Sequence, residues 1–147
     1  MKIRAALLAL AMVSPALVFA SQNAPYAVEA TTRAGSKLLS LDFESAGDVS
    51  AFTFRVALPE GVKRIDTSSC LSDLPKGFTG VCNSRDNFVA VTVYSNSGKS
   101  APAGLFSVGK ISYSGGGVGQ AKIDVFEAST SDGKEASIGT AKVEKLD

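Results

Sequence analysis

The sequence predicts an all-β domain, a sandwich of about nine short antiparallel strands. Three observations carry that prediction. The stretch AFTFRVAL, Ala51 to Leu58, puts Phe52, Phe54, Val56 and Leu58 on one face and Ala51, Thr53, Arg55 and Ala57 on the other. That period of two marks a strand buried on one side. Comparable segments recur along the chain, separated by Gly, Pro, Ser, Asn and Asp, the residues of tight turns. No stretch keeps a helical period over three turns.

In chain order, the first element is a targeting segment. Lys2 and Arg4 form a positive start, Ala5 to Val13 is apolar, Ser14-Pro15 breaks the run, and Val18-Phe19-Ala20 is a small-residue cleavage signal. We expect cleavage between Ala20 and Ser21, giving a signal peptide over residues 1–20 and one sandwich domain over 21–147. The apolar run is too short to span a bilayer, so no membrane anchor is expected after cleavage. The mature chain is expected to be periplasmic or secreted.

Tyr26 to Arg33 alternates weakly and reads as the first strand, turned by Ala34-Gly35-Ser36. Lys37 to Glu44 aligns Leu39, Leu41 and Phe43. Ser45 to Asp48 is a turn, and Ala51 to Leu58 follows, stopped by Pro59-Glu60-Gly61. Val62 to Asp66 reads as a short strand. The segment from Cys70 to Cys82 contains Pro75, Gly77 and Gly80 and reads as a pinned loop entering a strand near Phe78 to Cys82. Asn87 to Tyr94, NFVAVTVY, has the strongest β-forming composition, and both its faces are partly apolar, which predicts a central strand. Ser95 to Gly104 is a loop. Leu105 to Ser114 is a strand with Gly109 marking a bulge. After the glycines of 115–119, Ala121 to Ala128 is a strand with Ile123 and Val125 facing in. Ser131-Asp132-Gly133-Lys134 signals a hairpin, and Ala136 to Lys145 is the last strand.

Cys70 and Cys82 are the only cysteines of the chain. In an oxidising compartment an even pair reads as a disulfide, and closing a loop of this size is worth about 3 kcal/mol. The alternative is a two-thiol metal or redox site. Zinc takes four N or S ligands as a rule and the chain has no His; redox pairs stand two residues apart. The disulfide is the better reading.

Charge narrows the partners. Without Lys2 and Arg4 the 15 basic residues become 13 against 14 acidic ones, a net charge of −1. A near-neutral chain without a basic run predicts neither nucleic-acid binding nor adhesion to an anionic membrane. Absence of His removes the commonest general base, and no enzyme activity is expected. Gly98-Lys99-Ser100 ends like a phosphate-binding loop, but Val93 stands where that pattern needs Gly and Pro102 follows where it needs a helix. Asp124, Glu127 and Asp132 form no recognisable calcium loop. No cofactor or metal is expected.

Two segments carry a resemblance. AFTFRVALPEGVKRID, followed by LFSVGKISYSGGGVGQAKIDVFEASTSDGKEASIG, resembles cohesin domains and the related bacterial carbohydrate-binding-type sandwiches. The pattern is an F-x-F-x-V strand running into a turn, an L-F-x-V strand, a glycine-rich link, another strand and a D-G hairpin. The resemblance implies a nine-stranded, jelly-roll-like sandwich. In cohesins the third, fifth, sixth and eighth strands form one sheet, whose outer face binds a dockerin. Carried over strand by strand, the tentative binding face here is Thr53, Arg55, Phe88, Thr92, Tyr94, Lys122, Asp124 and Phe126. Phe88, Tyr94 and Phe126 would then form an apolar patch with a polar rim, unless a terminal segment or the Cys70–Cys82 loop covers them.

The function expected is an exported, non-catalytic binding module. A protein–protein interaction domain with an extracytoplasmic protein partner is the first reading. A polysaccharide-binding module is the second, weakened by an aromatic content of no Trp and no more than three Tyr, Tyr26, Tyr94 and Tyr113. An Ig-like or pilus-type structural subunit, polymerising through an edge strand, is the third.

Overall fold

The computed structural model describes residues 22–146; the leader and its cleavage point at Ala20 and Ser21 lie outside them. Nine strands and no helix are found among the described residues. They are β1 (Ala24–Thr31), β2 (Lys37–Ser45), β3 (Val49–Ala57), β4 (Val62–Asp66), β5 (Phe78–Arg85), β6 (Phe88–Ser95), β7 (Gly104–Gly115), β8 (Lys122–Thr130) and β9 (Lys142–Lys145). Two sheets form, one of five strands in the order β4-β7-β2-β1-β9 and one of four in the order β5-β6-β3-β8. Neighbours are antiparallel except β1 and β9, which run parallel.

The period-two patterns become the two inner faces. Leu39, Leu41 and Phe43 of β2 meet Phe52, Phe54 and Val56 of β3 and Val89, Val91 and Val93 of β6, all buried. Phe43 stacks on Phe52 across the sheets with ring centroids 3.9 Å apart. Each such ring or branched side chain contributes about 2 kcal/mol by leaving water. The strand predicted to be central, β6, is flanked by β5 and β3.

One charged side chain joins this core. Glu29 of β1 stands opposite the inward Leu39 and is 2% exposed. The Tyr113 hydroxyl donates to its Oε2 at 2.8 Å. Burial, with the carboxylate beside it, pushes the Tyr113 phenol above its ordinary value.

Both open sides of the sandwich are closed. On one, the connection between β4 and β5 runs along β7 beyond the end of β4: Lys110 N–H donates to Ser69 C=O at 2.8 Å and Asp73 N–H to Val108 C=O at 3.1 Å. The Cys70–Cys82 disulfide then ties this loop to β5, with Cα atoms 6.4 Å apart, so it links one sheet to the other. The loop crosses β7 so closely that a Cβ on Gly109 would sit 2.3 Å from the carbonyl oxygens of Ser69 and Cys70. The predicted bulge lies here, since Leu41 pairs with Gly109 while Asp42 pairs with Ser107.

The other side differs from the sequence reading. Ala136 to Lys145 is not one strand; only Lys142–Lys145 pairs continuously, on β1. The chain has to cross from the four-stranded sheet to the five-stranded one, and it does so over 135–141 in two single bridges, Ser129 to Glu135 and Asn23 to Ile138. Asn23, fully buried, holds the crossing. Its amide donates to Ser137 C=O and to Asp48 Oδ1, each at 2.9 Å, and its side-chain oxygen accepts from Ala46 N–H at 2.7 Å. The predicted hairpin at 131–134 forms, with Gly133 at φ +79° and Thr130 N–H donating to Lys134 C=O.

Candidate functional site

The outer face of the four-stranded sheet follows from register. Reading across β8, β3, β6 and β5, one row is Ser129, Ala51, Tyr94 and Thr79, and the next is Glu127, Thr53, Thr92 and Val81. The third is Val125, Arg55, Ala90 and Asn83, and the fourth is Lys122, Ala57, Phe88 and Arg85. Residues between them along each strand, such as Phe52, Phe54, Val91 and Cys82, point inward.

Seven of the eight residues expected on this face stand on it or at its edge: Thr53, Arg55, Phe88, Thr92, Tyr94, Lys122 and Asp124. Phe126 is the exception. It lies opposite the inward Phe54, packs against the core and meets Phe43 edge-on at 5.8 Å. Val125, expected inside, stands opposite Arg55 and is 41% exposed. A bulge exchanges the two: Arg55 pairs with Val125 and Val56 with Ile123, leaving Asp124 as the extra residue. The period of two breaks there, so counting outward residues from Lys122 fails after Asp124.

Arg55 and Asp124 meet at this bulge. Arg55 Nε and Nη2 donate to the two carboxylate oxygens at 2.8 and 2.7 Å, a two-pronged pair. The hydrogen bonds from Arg55 hold the Asp124 carboxyl below the usual carboxylate range. The guanidinium carbon sits 5.1 Å from the centre of the Phe88 ring, within reach of a cation–π contact. Phe88 is therefore half-buried beneath Arg55 and offers little of its ring to solvent. In the neighbouring row the Thr53 hydroxyl donates to Val91 C=O at 3.0 Å; its single proton being used, the 2.9 Å contact with Thr92 is completed by the Thr92 hydroxyl donating to Thr53.

The apolar part of the face is thus not Phe88, Tyr94 and Phe126. It is Tyr94 at 43% exposure and Val81 at 49%, diagonal neighbours on β6 and β5, with Val125 two strands away. Val81 escaped sequence reading because the strand it belongs to was recognised only as an exit from the cysteine loop. That loop does not lie over the face, since its backbone is bonded to β7 in the other sheet. Charge is divided along the strands. Lys122 and Arg85 occupy one end row, and Glu127 stands towards the other end, next to the crossing segment that carries Glu135.

A depression of about 440 Å³ opens beside this acidic end. Thr53, Thr92, Glu127, Glu135 and Ile138 line it, together with the backbone around the inward-facing Phe52, Phe126 and Ala128. No group of three or more His, Cys, Asp or Glu among the described residues is placed to hold a metal ion.

No family model matches the sequence, and no curated protein matches it significantly. Solved structures do match. A non-cellulosomal cohesin from the archaeon Archaeoglobus fulgidus superposes over 86% of this chain and 93% of its own, with TM-score 0.58 and 13% identity. A type II cohesin domain from the cellulosome of Acetivibrio cellulolyticus covers 83% and 91%, with TM-score 0.57 and 8% identity. A type I cohesin–dockerin complex from Clostridium thermocellum covers 86% and 97%, with TM-score 0.53 and 11% identity. At such identities the likeness is one of fold, and the chain is a jelly-roll β-sandwich of the cohesin type.

Proposed function

We propose that the chain is an exported, non-catalytic binding module that receives a protein partner on the outer face of the sheet β5-β6-β3-β8. One observation carries the reading. On this sheet Val81, Tyr94 and Val125 hold large apolar side chains in solvent, flanked by Arg55, Asp124, Glu127, Lys122 and Arg85. Exposed apolar groups ringed by charge are the anatomy of a protein interface. Tyrosine is among the residue types that most often anchor such interfaces. The likeness to a cohesin solved in complex with a dockerin supports the same reading. Export is supported by the leader-like residues 1–20 and by the disulfide, a bond of oxidising compartments.

A polysaccharide ligand has less behind it. Tyr113 is buried, Tyr26 is half-buried, and Tyr94 is left as the one exposed tyrosine ring. A single ring is a poor platform for stacking a sugar chain.

The test is capture. The protein is immobilised with its disulfide intact and exposed to the extracytoplasmic extract of its source cells. We expect one protein to be enriched and to be released by the combined change Val81→Asp, Tyr94→Ala. A captured protein that this variant retains would refute the face, and retention on a glycan gel with no protein captured would refute the class of partner. Mass measurement of the exported form, expected to begin at Ser21, checks the leader.

A further inference from the structure

We propose that the depression beside Glu127 and Glu135 is a socket for a lysine or arginine side chain of the protein partner, an inference that rests on the docking face proposed above. The socket lies between β8 and the crossing segment that follows the 131–134 hairpin. It is an open depression of about 440 Å³, with room for one side chain of a partner. Ile138, half exposed, supplies the apolar part of its lining, since Phe126 turns into the core. The two carboxylates come from different segments: Glu127 from β8 and Glu135 from the crossing.

Charge complementarity identifies the occupant. Both charged residues that line the socket are acidic. Among the described residues neither belongs to an ion pair, for the two pairs present are Arg55 with Asp124 and Lys134 with Asp132. Lys134, the cation nearest in sequence, is thus already opposite a carboxylate at 3.6 Å. An anion or a carboxylate ligand would meet uncompensated repulsion there. A purely aliphatic group would rest on Ile138 and leave two carboxylates to be partly desolvated without a partner, at a cost. A long side chain with an aliphatic stem and a cationic head satisfies both surfaces, the stem along the exposed Ile138 and the head beside the carboxylates. Thr53 and Thr92 line the socket and also belong to the second row of the docking face, so the two surfaces are continuous. A basic residue near the partner's contact with Tyr94 therefore reaches the socket without rearrangement of this sheet.

Blocked tripeptides separate the socket from the face. Acetyl-Ala-Lys-Ala-amide and acetyl-Ala-Arg-Ala-amide are titrated into the isotope-labelled protein, with the norleucine peptide and free cadaverine alongside. We expect saturable amide shifts centred on Thr53, Thr92, Glu127 and Glu135 for at least one basic peptide. Binding should weaken about fivefold in the norleucine peptide and about fivefold in Glu127→Gln, Glu135→Gln, as expected for two partly exposed charge contacts. Absence of shifts, equal binding of norleucine, or indifference to the double glutamine change would overturn the socket, whatever the capture experiment shows. Cadaverine binding more tightly than either peptide would assign the socket to free amines and overturn a partner-borne side chain. Peptide binding without any captured protein would sink the docking face and leave the socket standing.

Discussion

Removing the Cys70–Cys82 link should lower the melting temperature by about 11 °C. The two cysteines are 12 residues apart in sequence. Releasing a loop of that length returns about 3 kcal/mol of conformational freedom to the unfolded chain. The described domain has 125 residues, 22–146. At about 2.1 cal/mol/K per residue its unfolding entropy near the transition is about 0.26 kcal/mol/K. Dividing the first figure by the second gives the shift. The contacts around the loop sharpen the test. Lys110 N–H to Ser69 C=O and Asp73 N–H to Val108 C=O hold the loop on β7 in the folded state whether or not the sulfurs are joined. They cannot restrain the unfolded chain, so they do not replace the link. Cys70 is 1% exposed, which makes selective reduction slow and the double change Cys70→Ala, Cys82→Ala the cleaner perturbation. Differential scanning calorimetry of the two proteins reads the result. A fall below about 4 °C would refute the loop-entropy account. The same variant, held well below its transition, should still expose Tyr94 and Val81, because the bridge lies on the inner side of β5.

Two further changes probe the parts that hold the sandwich shut. Gly109→Ala should cost at least about 3 kcal/mol, because its Cβ would meet two backbone carbonyls at 2.3 Å and neither belongs to a flexible side chain; urea unfolding with a loss under about 1 kcal/mol would mean that the loop shifts freely. Tyr113→Phe should cost about 2 kcal/mol by leaving the buried Glu29 carboxyl without its donor. Because the folded-state phenol lies above its ordinary 10.0, the unfolded chain loses this proton first as pH rises. The unchanged protein is then progressively destabilised above about pH 10, and its advantage over Tyr113→Phe should narrow there. A constant or widening gap in denaturation measured from pH 8 to 11 would contradict the sign.

The repetitive features of this fold are legible in its sequence, and the features that break repetition are not. Alternation of apolar residues located β2, β3 and β6 to within two residues at either end, because burial on one face leaves that signature directly. The central place of β6 was readable from Phe88 and Tyr94 sharing a strand with three inward valines. Polar Asn83-Ser84-Arg85 hid the second half of β5, since an edge strand needs no apolar outer face. The crossing at 135–141 was hidden for the opposite reason. Its alternating residues imitate a strand, but its partners are Asn23 and the hairpin, contacts that no local pattern contains.

The bulge at Asp124 decides which side chains the outer face of this sheet presents. Without it, Val125 would turn into the core and Phe126 out of it, since successive residues of a regular strand alternate. With it, Phe126 reaches Phe43 across the sandwich, while Asp124 and Val125 both serve the surface. One places a carboxylate in the fork of Arg55, and the other adds an apolar side chain beside it. The same irregularity lies on an edge strand, where bulges discourage pairing with a further chain. Beyond it, the end of β8 is occupied by its own hairpin, with Thr130 N–H bonded to Lys134 C=O and Ala136 N–H to Ala128 C=O. Polymerisation by strand addition at this edge is therefore opposed by the backbone itself. On the proposed function, β8 would offer a partner its outward side chains and the depression beside them, recognition across the sheet rather than extension of it.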